Sequence, residues 1–195
     1  VYVHDTAGEG FYFGWTGTPP SNKFPGLQIY NSRILRTGNE ALQVQDLGDG
    51  THIHHNTFIS GGLHWLDNGL GRYQDNGAQI TTREGTIRFE RDVFLDGAGS
   101  IVSFWSQPET GDGGRHVSFH DDFFGDTLSV GVWIGGTGGD DSSVGFDASF
   151  FRGLVYGYDV ITPGGAEPPG VLSVDANLAG PISLTKNRWE GSRAL

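Results

Sequence analysis

The sequence predicts an all-β protein, a right-handed parallel β-helix (solenoid) of about six to seven coils that occupies residues 1–195 as a single domain. Two features lead to this prediction. A short motif with a fixed pattern of apolar and polar positions recurs along the chain, and a second alternating strand lies between its copies. Gly-rich turns separate these strands, and no stretch of useful length has the helical period.

The motif aligns without gaps in seven places. The copies are VYVHDTAG (1–8), LQIYNSRI (27–34), THIHHNTF (51–58), IRFERDVF (87–94), VSFHDDFF (117–124), VGFDASFF (144–151) and ISLTKNRW (182–189). The third residue is always apolar, the first is apolar except at Thr51, and the eighth is apolar except at Gly8. The sixth residue is always small and polar.

This pattern predicts a strand, a bend and a second short strand. The first and third residues of the motif face the same side of a strand, so they define its buried face. A small polar sixth residue is typical of a bend, because Asn, Asp, Ser and Thr bond locally to the backbone. The apolar eighth residue then returns to the buried face.

The strand between the copies completes each predicted coil. Its members are GFYFG (10–14), ALQVQ (41–45), AQITT (78–82), IVSFW (101–105), VGVWI (130–134) and YGYDV (156–160). Parallel strands joined in this way almost always have right-handed crossovers, which predicts the hand of the solenoid. A β-sandwich or barrel is the competing interpretation, but those folds favour two-residue hairpin turns and few are present.

Composition excludes several classes of function. The formal net charge is −11 and the chain has only two lysines, Lys23 and Lys186, which argues against nucleic acid and anionic membranes as partners. No apolar run approaches the roughly 20 residues of a membrane span. Without cysteine there is no disulfide, thiol nucleophile or Cys-based zinc site.

The repeat resembles that of the secreted right-handed parallel β-helix proteins of the pectate-lyase-like superfamily. The resemblance is carried by GEGFYFG (8–14) and by the copies IYNSRI, IHHNTF and LTKNRW, whose bends resemble the family's asparagine ladder. It implies an extracellular or cell-surface location. Because the repeated residues face inward, it indicates the fold far more specifically than the activity.

The first copy begins at Val1 and the last ends shortly before Leu195, with no polar cap on either side. Solenoids need caps, because an open end exposes backbone edges and core. The sequence therefore predicts a segment of a longer solenoid, or ends that self-assembly or a partner covers.

A metal site is one interpretation of the outward side chains of the motif. His52 and His54 form an H-x-H pair on one strand face, and Glu90 is the nearest further ligand. The competing interpretation is a solvated polar face, which the sequence favours over a metal site. Asp/Gly turns at 46–50, 75–77 and 138–141 leave Ca²⁺ possible, although they match no known calcium loop.

The outward side chains of the second strand indicate carbohydrate contact. Trp105 and Trp133 are expected at matching positions on consecutive coils, beside Gln43, Gln45 and Gln79. Aromatic rings stack on the apolar faces of sugars, and amides bind the hydroxyls. Alternatively, a long loop covers these residues and they pack as part of the core.

An enzyme is the alternative that the resemblance implies, with a substrate groove along the second strand. Its weak catalytic candidates are Arg83, Glu84, Asp46 and Asp159. Lyases of this kind need a base near a neutralised uronate, and hydrolases need paired carboxylates, but the family's catalytic clusters are absent.

The sequence therefore predicts an extracellular, non-catalytic surface module that contacts polysaccharide. The alternatives are a polysaccharide lyase or glycoside hydrolase of the pectate-lyase-like superfamily, and a subunit of an extracellular filament.

Overall fold

The computed structural model describes residues 1–14, 23–63, 77–97, 102–106, 113–127, 131–136, 142–152, 172–174 and 181–190. All regular structure in these residues is β-strand. The strands form three sheets, and within each sheet every strand pairs in parallel with a strand three places away in the chain. The prediction of an all-β, parallel structure is confirmed.

The first sheet has seven strands, in the order β1 (Tyr2–Thr6), β4 (Arg33–Thr37), β7 (Thr57–Gly61), β10 (Val93–Gly97), β13 (Phe123–Thr127), β16 (Phe150–Arg152) and β19 (Arg188–Glu190). The second has six, in the order β2 (Phe11–Phe13), β5 (Leu42–Leu47), β8 (Ala78–Thr82), β11 (Val102–Ser106), β14 (Val132–Gly136) and β17 (Leu172–Val174). The third also has six, in the order β3 (Gln28–Tyr30), β6 (Thr51–His54), β9 (Gly85–Glu90), β12 (Arg115–His120), β15 (Ser142–Asp147) and β18 (Ile182–Thr185). The chain thus visits the three sheets in turn.

The six motif copies from residue 27 onward are aligned in space as they are in sequence. Their third residues lie in the third sheet, in register from Ile29 to Leu184. Their eighth residues lie in the first sheet, in register from Ile34 to Trp189. Each copy therefore contributes one strand to each of two sheets, with the bend between them.

The first copy is an exception, and its predicted alignment is wrong. Val3 pairs with Ile34 in the first sheet and not with Ile29 in the third, so it corresponds to the eighth position of the motif. Its alternating apolar residues fit either strand, and backbone pairing decides between them. In the second sheet, the predicted strand 156–160 lies outside the described residues, and Leu172–Val174 pairs with β14.

Two columns of residues with positive φ turn the chain. In the third-to-first-sheet bend, the fifth motif residue is left-handed in all six aligned copies, namely Asn31, His55, Arg91, Asp121, Ala148 and Lys186, with φ between 51° and 57°. A second column lies in the first sheet and comprises Asp5, Arg36, Ser60, Asp96 and Asp126. None of these residues is glycine, so the bends retain side chains at a conformational cost.

The three sheets bury one common apolar core. Stacked phenylalanines dominate it: Phe89, Phe119 and Phe146 of the third sheet have successive ring centroids 4.7 and 4.8 Å apart. A second stack runs through the first sheet in the order Phe58, Phe94, Phe124, Phe151 and Trp189, with centroids 5.1, 5.4, 4.9 and 4.2 Å apart. The two stacks meet edge to face, as at Phe119 and Phe124. Within the described residues, no helix has the length and apolarity to cross a membrane.

Replacement of Ala148 tests the cost of the left-handed bend. Ala148 has φ 53° and its N–H donates to the carbonyl of Thr185 at 2.9 Å, a bond that glycine preserves. We expect Ala148→Gly to raise the free energy of unfolding by about 0.5–1 kcal/mol, because glycine adopts positive φ without steric cost. Ala148→Val should lower it by about 1 kcal/mol or more. Urea titration followed by circular dichroism measures both, and a Gly variant less stable than Ala148 contradicts the interpretation.

Candidate functional site

The exposed face of the third sheet carries most of the described histidines and their charged partners. Two columns of side chains point outward. One comprises Gln28, His52, Arg88, Ser118, Gly145 and Ser183, and the other Tyr30, His54, Glu90, His120, Asp147 and Thr185. Both columns follow the predicted alignment. We divide this face into an imidazole cluster on β3 and β6, an ion-pair network around Glu90, and a trough across β9 to β18.

The imidazole cluster contains Tyr30, His52, His54 and His55. The rings of Tyr30 and His54 stack in parallel with centroids 5.3 Å apart, and those of His52 and His54 lie 4.2 Å apart. Nδ1 of His54 lies 2.9 Å from Nδ1 of His55. Burial lowers the pKa of His54, and the neighbouring His52 and His55 lower it further. This ring is therefore suited to stacking as a neutral group.

Glu90 is the centre of the ion-pair network. Its Oε2 lies 3.0 Å from Nη2 of Arg88 and 3.2 Å from Nε2 of His52, and its Oε1 lies 3.3 Å from Nη1 of Arg91. Burial raises the pKa of this carboxyl, but Arg88, Arg91 and His52 together outweigh burial and lower it. The ionised Glu90 is thus engaged by protein cations. In the described part of the chain no group of three His, Asp or Glu side chains could hold a metal ion, and this includes the candidates His52, His54 and Glu90.

The trough is a shallow cavity of about 420 Å³ that crosses four adjacent strands of the third sheet. Its floor is formed by Ser118, Gly145 and Ser183, which are in register on β12, β15 and β18. A Cβ added at Gly145 would lie only 2.8 Å from Oγ of Ser183, so glycine keeps the floor open.

Charged and hydroxyl side chains bound the trough. Arg88 and Thr86 stand at the β9 end, and His120 and Asp147 form one wall. Nδ1 of His120 lies 3.1 Å from Oδ2 of Asp147, which fixes the wall. The trough thus presents hydroxyl, guanidinium, imidazole and carboxylate groups on a backbone that is already ordered by pairing. The sequence did not predict the trough, although the run Ser118, Gly145 and Ser183 at one motif position was the available signal.

On the second sheet, the expectation that Gln43 and Gln45 are exposed is wrong. Their exposed fractions are 3% and 4%. Nε2 of Gln43 donates to Oε1 of Gln79 at 2.6 Å, and Oγ1 of Thr81 donates to Oε1 of Gln45 at 2.9 Å. These amides connect β5 to β8. Gln79 is half-buried.

The expected alignment of the two tryptophans is also wrong. Trp133 pairs with Ser103, and Trp105 pairs with Gly135, so the tryptophans are offset by two residues on adjacent strands. The register instead places Val132 opposite Val102, so each tryptophan lies beside a small residue of the adjacent strand. Trp133 is half-buried, and the side chain of Trp105 lies outside the described residues.

The catalytic candidates do not form an accessible constellation among the described residues. Nη1 of Arg83 lies 3.9 Å from Oδ1 of Asp46, but both side chains are almost fully buried. Glu84 is engaged elsewhere: its Oε2 lies 2.7 Å from Nζ of Lys23 and accepts a hydrogen bond from the N–H of Gly113 at 3.2 Å. Asp159 lies outside the described residues.

The calcium candidates are described only at the first turn, 46–50. There Asp49 Oδ1 accepts a hydrogen bond from the N–H of Thr86 at 2.8 Å, and Asp46 faces Arg83. These carboxylates hold neighbouring coils together. Of the other two turns, only Gly77 lies within the described residues.

Comparisons with known proteins add no assignment. No family model matches the chain, and searches of curated proteins and of solved structures return no significant match.

The buried pair of Arg83 and Asp46 yields a stability prediction. Arg83→Met keeps most of the side-chain volume but leaves Asp46 without its buried cation, so we expect the free energy of unfolding to fall by about 3 kcal/mol. Denaturant titration measures this change. Arg152→Gln is the matched control: it removes an exposed cation that lies 3.4 Å from Asp126, and should change stability by less than about 1 kcal/mol. Equal stabilities of the two variants would contradict a structural role for the buried pair.

Proposed function

We propose that the chain is a right-handed parallel β-helix, of the kind found in the pectate-lyase-like superfamily, and an extracellular module that binds polysaccharide without cleaving it. Successive strands of the chain belong to the three parallel sheets in rotation, and this order supports the β-helix. Right-handedness follows from the strong preference of parallel crossovers for that hand. Capping or self-assembly of the solenoid ends stays a prediction.

The trough on the third sheet is the observation that carries the binding proposal. A polysaccharide is a chain of hydroxyl-rich rings, and the trough offers hydroxyls from Thr86, Ser118 and Ser183 along its length. Arg88 and His120 add donors, and Asp147 adds an acceptor for sugar hydroxyls. Because the trough crosses consecutive strands, it runs along the stack of coils and suits an extended polymer.

Preorganisation also supports binding at this face. The side chains of the trough stand on paired strands; an ion pair with Glu90 holds Arg88, and a 3.1 Å contact with Asp147 holds His120. Little conformational freedom is then lost on binding, and this lowers the free-energy cost of association. The stacked rings of Tyr30 and His54 lie further along the same face and extend the surface toward β3.

Burial supports the third sheet over the second as the contact surface. The amides of Gln43 and Gln45 are closed to solvent, whereas Tyr30 and the trough residues are accessible. The same criterion disfavours catalysis by Arg83 and Asp46, because a substrate would have to displace the residues that bury them.

A substitution that fills the trough tests the proposal. We expect Ser118→Tyr to weaken binding of the recognised polysaccharide by about tenfold or more, because the ring would occupy the floor between Arg88 and Gly145. Val93→Tyr is the matched control: it introduces the same side chain on the outer face of the first sheet and should leave affinity unchanged. Affinity electrophoresis in neutral and uronate-containing polysaccharides measures retardation, and circular dichroism confirms that both variants fold.

Two results would contradict the proposal. Equal retardation of the wild type and Ser118→Tyr would exclude the trough as the contact surface. New reducing ends or ultraviolet-absorbing unsaturated products from any polymer would show that the protein is an enzyme.

A further inference from the structure

A buried ladder of side chains runs through the bends between the third and first sheets. In each bend, the backbone N–H of the sixth motif residue donates to the side-chain oxygen of the corresponding residue in the next coil. The bonds run from Ser32 to Asn56, Asn56 to Asp92, Asp92 to Asp122, Asp122 to Ser149 and Ser149 to Asn187, at 3.0, 2.7, 2.7, 3.2 and 2.9 Å. One side-chain oxygen is therefore committed to the ladder in each of the five acceptors, from Asn56 to Asn187.

The two asparagines of the ladder also use their other side-chain atom. Nδ2 of Asn56 donates to the carbonyl of Ile29 at 3.0 Å, and Nδ2 of Asn187 donates to the carbonyl of Phe146 at 2.9 Å. In both cases the acceptor is the third motif residue of the preceding coil. The side chain of each asparagine thus accepts one hydrogen bond from the preceding coil and donates another to the same coil.

Asp92 and Asp122 occupy the same positions but have an oxygen where asparagine has an amide nitrogen. Their Oδ1 atoms accept the ladder bonds, while both Oδ2 atoms are buried and have no hydrogen-bond partner among the described residues. By register, the carbonyls equivalent to those of Ile29 and Phe146 are those of Ile53 and Phe89. An ionised oxygen cannot donate to a carbonyl, but a protonated one can.

We infer that Asp92 and Asp122 are held in the protonated form, each donating from Oδ2 to the carbonyl of Ile53 or Phe89, so that the ladder loosens when pH rises and these carboxyls ionise. At pH values below this ionisation, the two protonated side chains make the same hydrogen bonds as the asparagines of the ladder. Above it, two adjacent rungs carry buried negative charges in neighbouring coils, and each Oδ2 faces a carbonyl oxygen.

The net effect of the surroundings is to raise the pKa of both carboxyls, although backbone hydrogen bonds oppose it. Burial raises the pKa of Asp92 to about 7, and the hydrogen bonds from Asn56 offset only part of this rise. Burial also raises the pKa of Asp122, and the neighbouring Asp92 and Asp121 raise it further. A hydrogen bond to the backbone of Glu90 lowers the pKa of Asp92, and the charge of the Glu90 side chain raises it by a smaller amount. His55, Arg91 and Asp121 lie on the adjoining bends, and His120 immediately precedes Asp121.

The sign of the pH dependence follows from proton binding. The folded state holds protons on Asp92 and Asp122 at pH values where the unfolded chain has released them, so stability falls as pH rises. With the pKa at about 7 in the folded state and at an ordinary 3.8 in the unfolded chain, Asp92 alone lowers the folding equilibrium constant about a hundredfold between about pH 5 and pH 8. Asp122 adds to this loss.

The test compares wild type with the double variant Asp92→Asn/Asp122→Asn by urea titration at about pH 5 and pH 8. We expect the variant to match wild type at the lower pH and to be at least about a hundredfold more stable in folding equilibrium constant at the higher pH. Asp96→Asn is the matched control, because it removes an exposed carboxylate and should follow the wild-type curve at both pH values. Asn56→Asp adds a third acid to the ladder and should steepen the pH dependence.

Infrared spectroscopy gives a second, direct readout. Near pH 6, wild type should show the C=O stretch of protonated carboxyls, and the double variant should lack it. A double variant that does not fold, that follows the wild-type pH dependence, or that leaves this band unchanged would overturn the inference.

Discussion

Each described strand pairs in parallel with the strand three places away, largely residue for residue, and this register places equivalent side chains above one another at the strand spacing of about 4.8 Å. That distance suits stacked aromatic rings, which explains the two phenylalanine stacks. It also suits a chain of hydrogen bonds between small polar side chains, which explains the ladder. The same spacing places like charges of successive coils close together. The ladder therefore accommodates aspartic acids in adjacent coils only when they are protonated.

Much of the fold could be predicted because stacked positions of successive coils produce a repeated pattern in the sequence. Equivalent positions face the same environment in every coil, so apolar, polar and small residues recur at fixed places in the motif. The first copy was misassigned since Val1 and Val3 alternate as any strand does, and only backbone pairing separates the first sheet from the third. The left-handed bends were also hidden, because Arg91 and Lys186 are not residues that signal positive φ.

The candidate site was harder to predict than the fold. Alternation gives the face on which a side chain lies, but it does not show whether other parts of the chain cover that face, as happens at Gln43 and Gln45. Register errors matter equally: an offset of two residues separates Trp105 from Trp133. The trough exists because Gly145 has no side chain to fill it. A pattern of apolar and polar residues gives no information about side-chain volume on an exposed face.

The repeating bend has a consequence for how such a chain changes length. Asp92 and Asp122 occupy the same place in successive coils, follow left-handed residues of nearly equal φ, and precede strands that are in register. A recombination that joins Arg91 directly to Asp122 would therefore remove one whole coil and leave a bend of unchanged geometry. Duplication between the same points would add one. The fold can thus gain or lose coils by exchange within its own gene, without a new junction having to be selected.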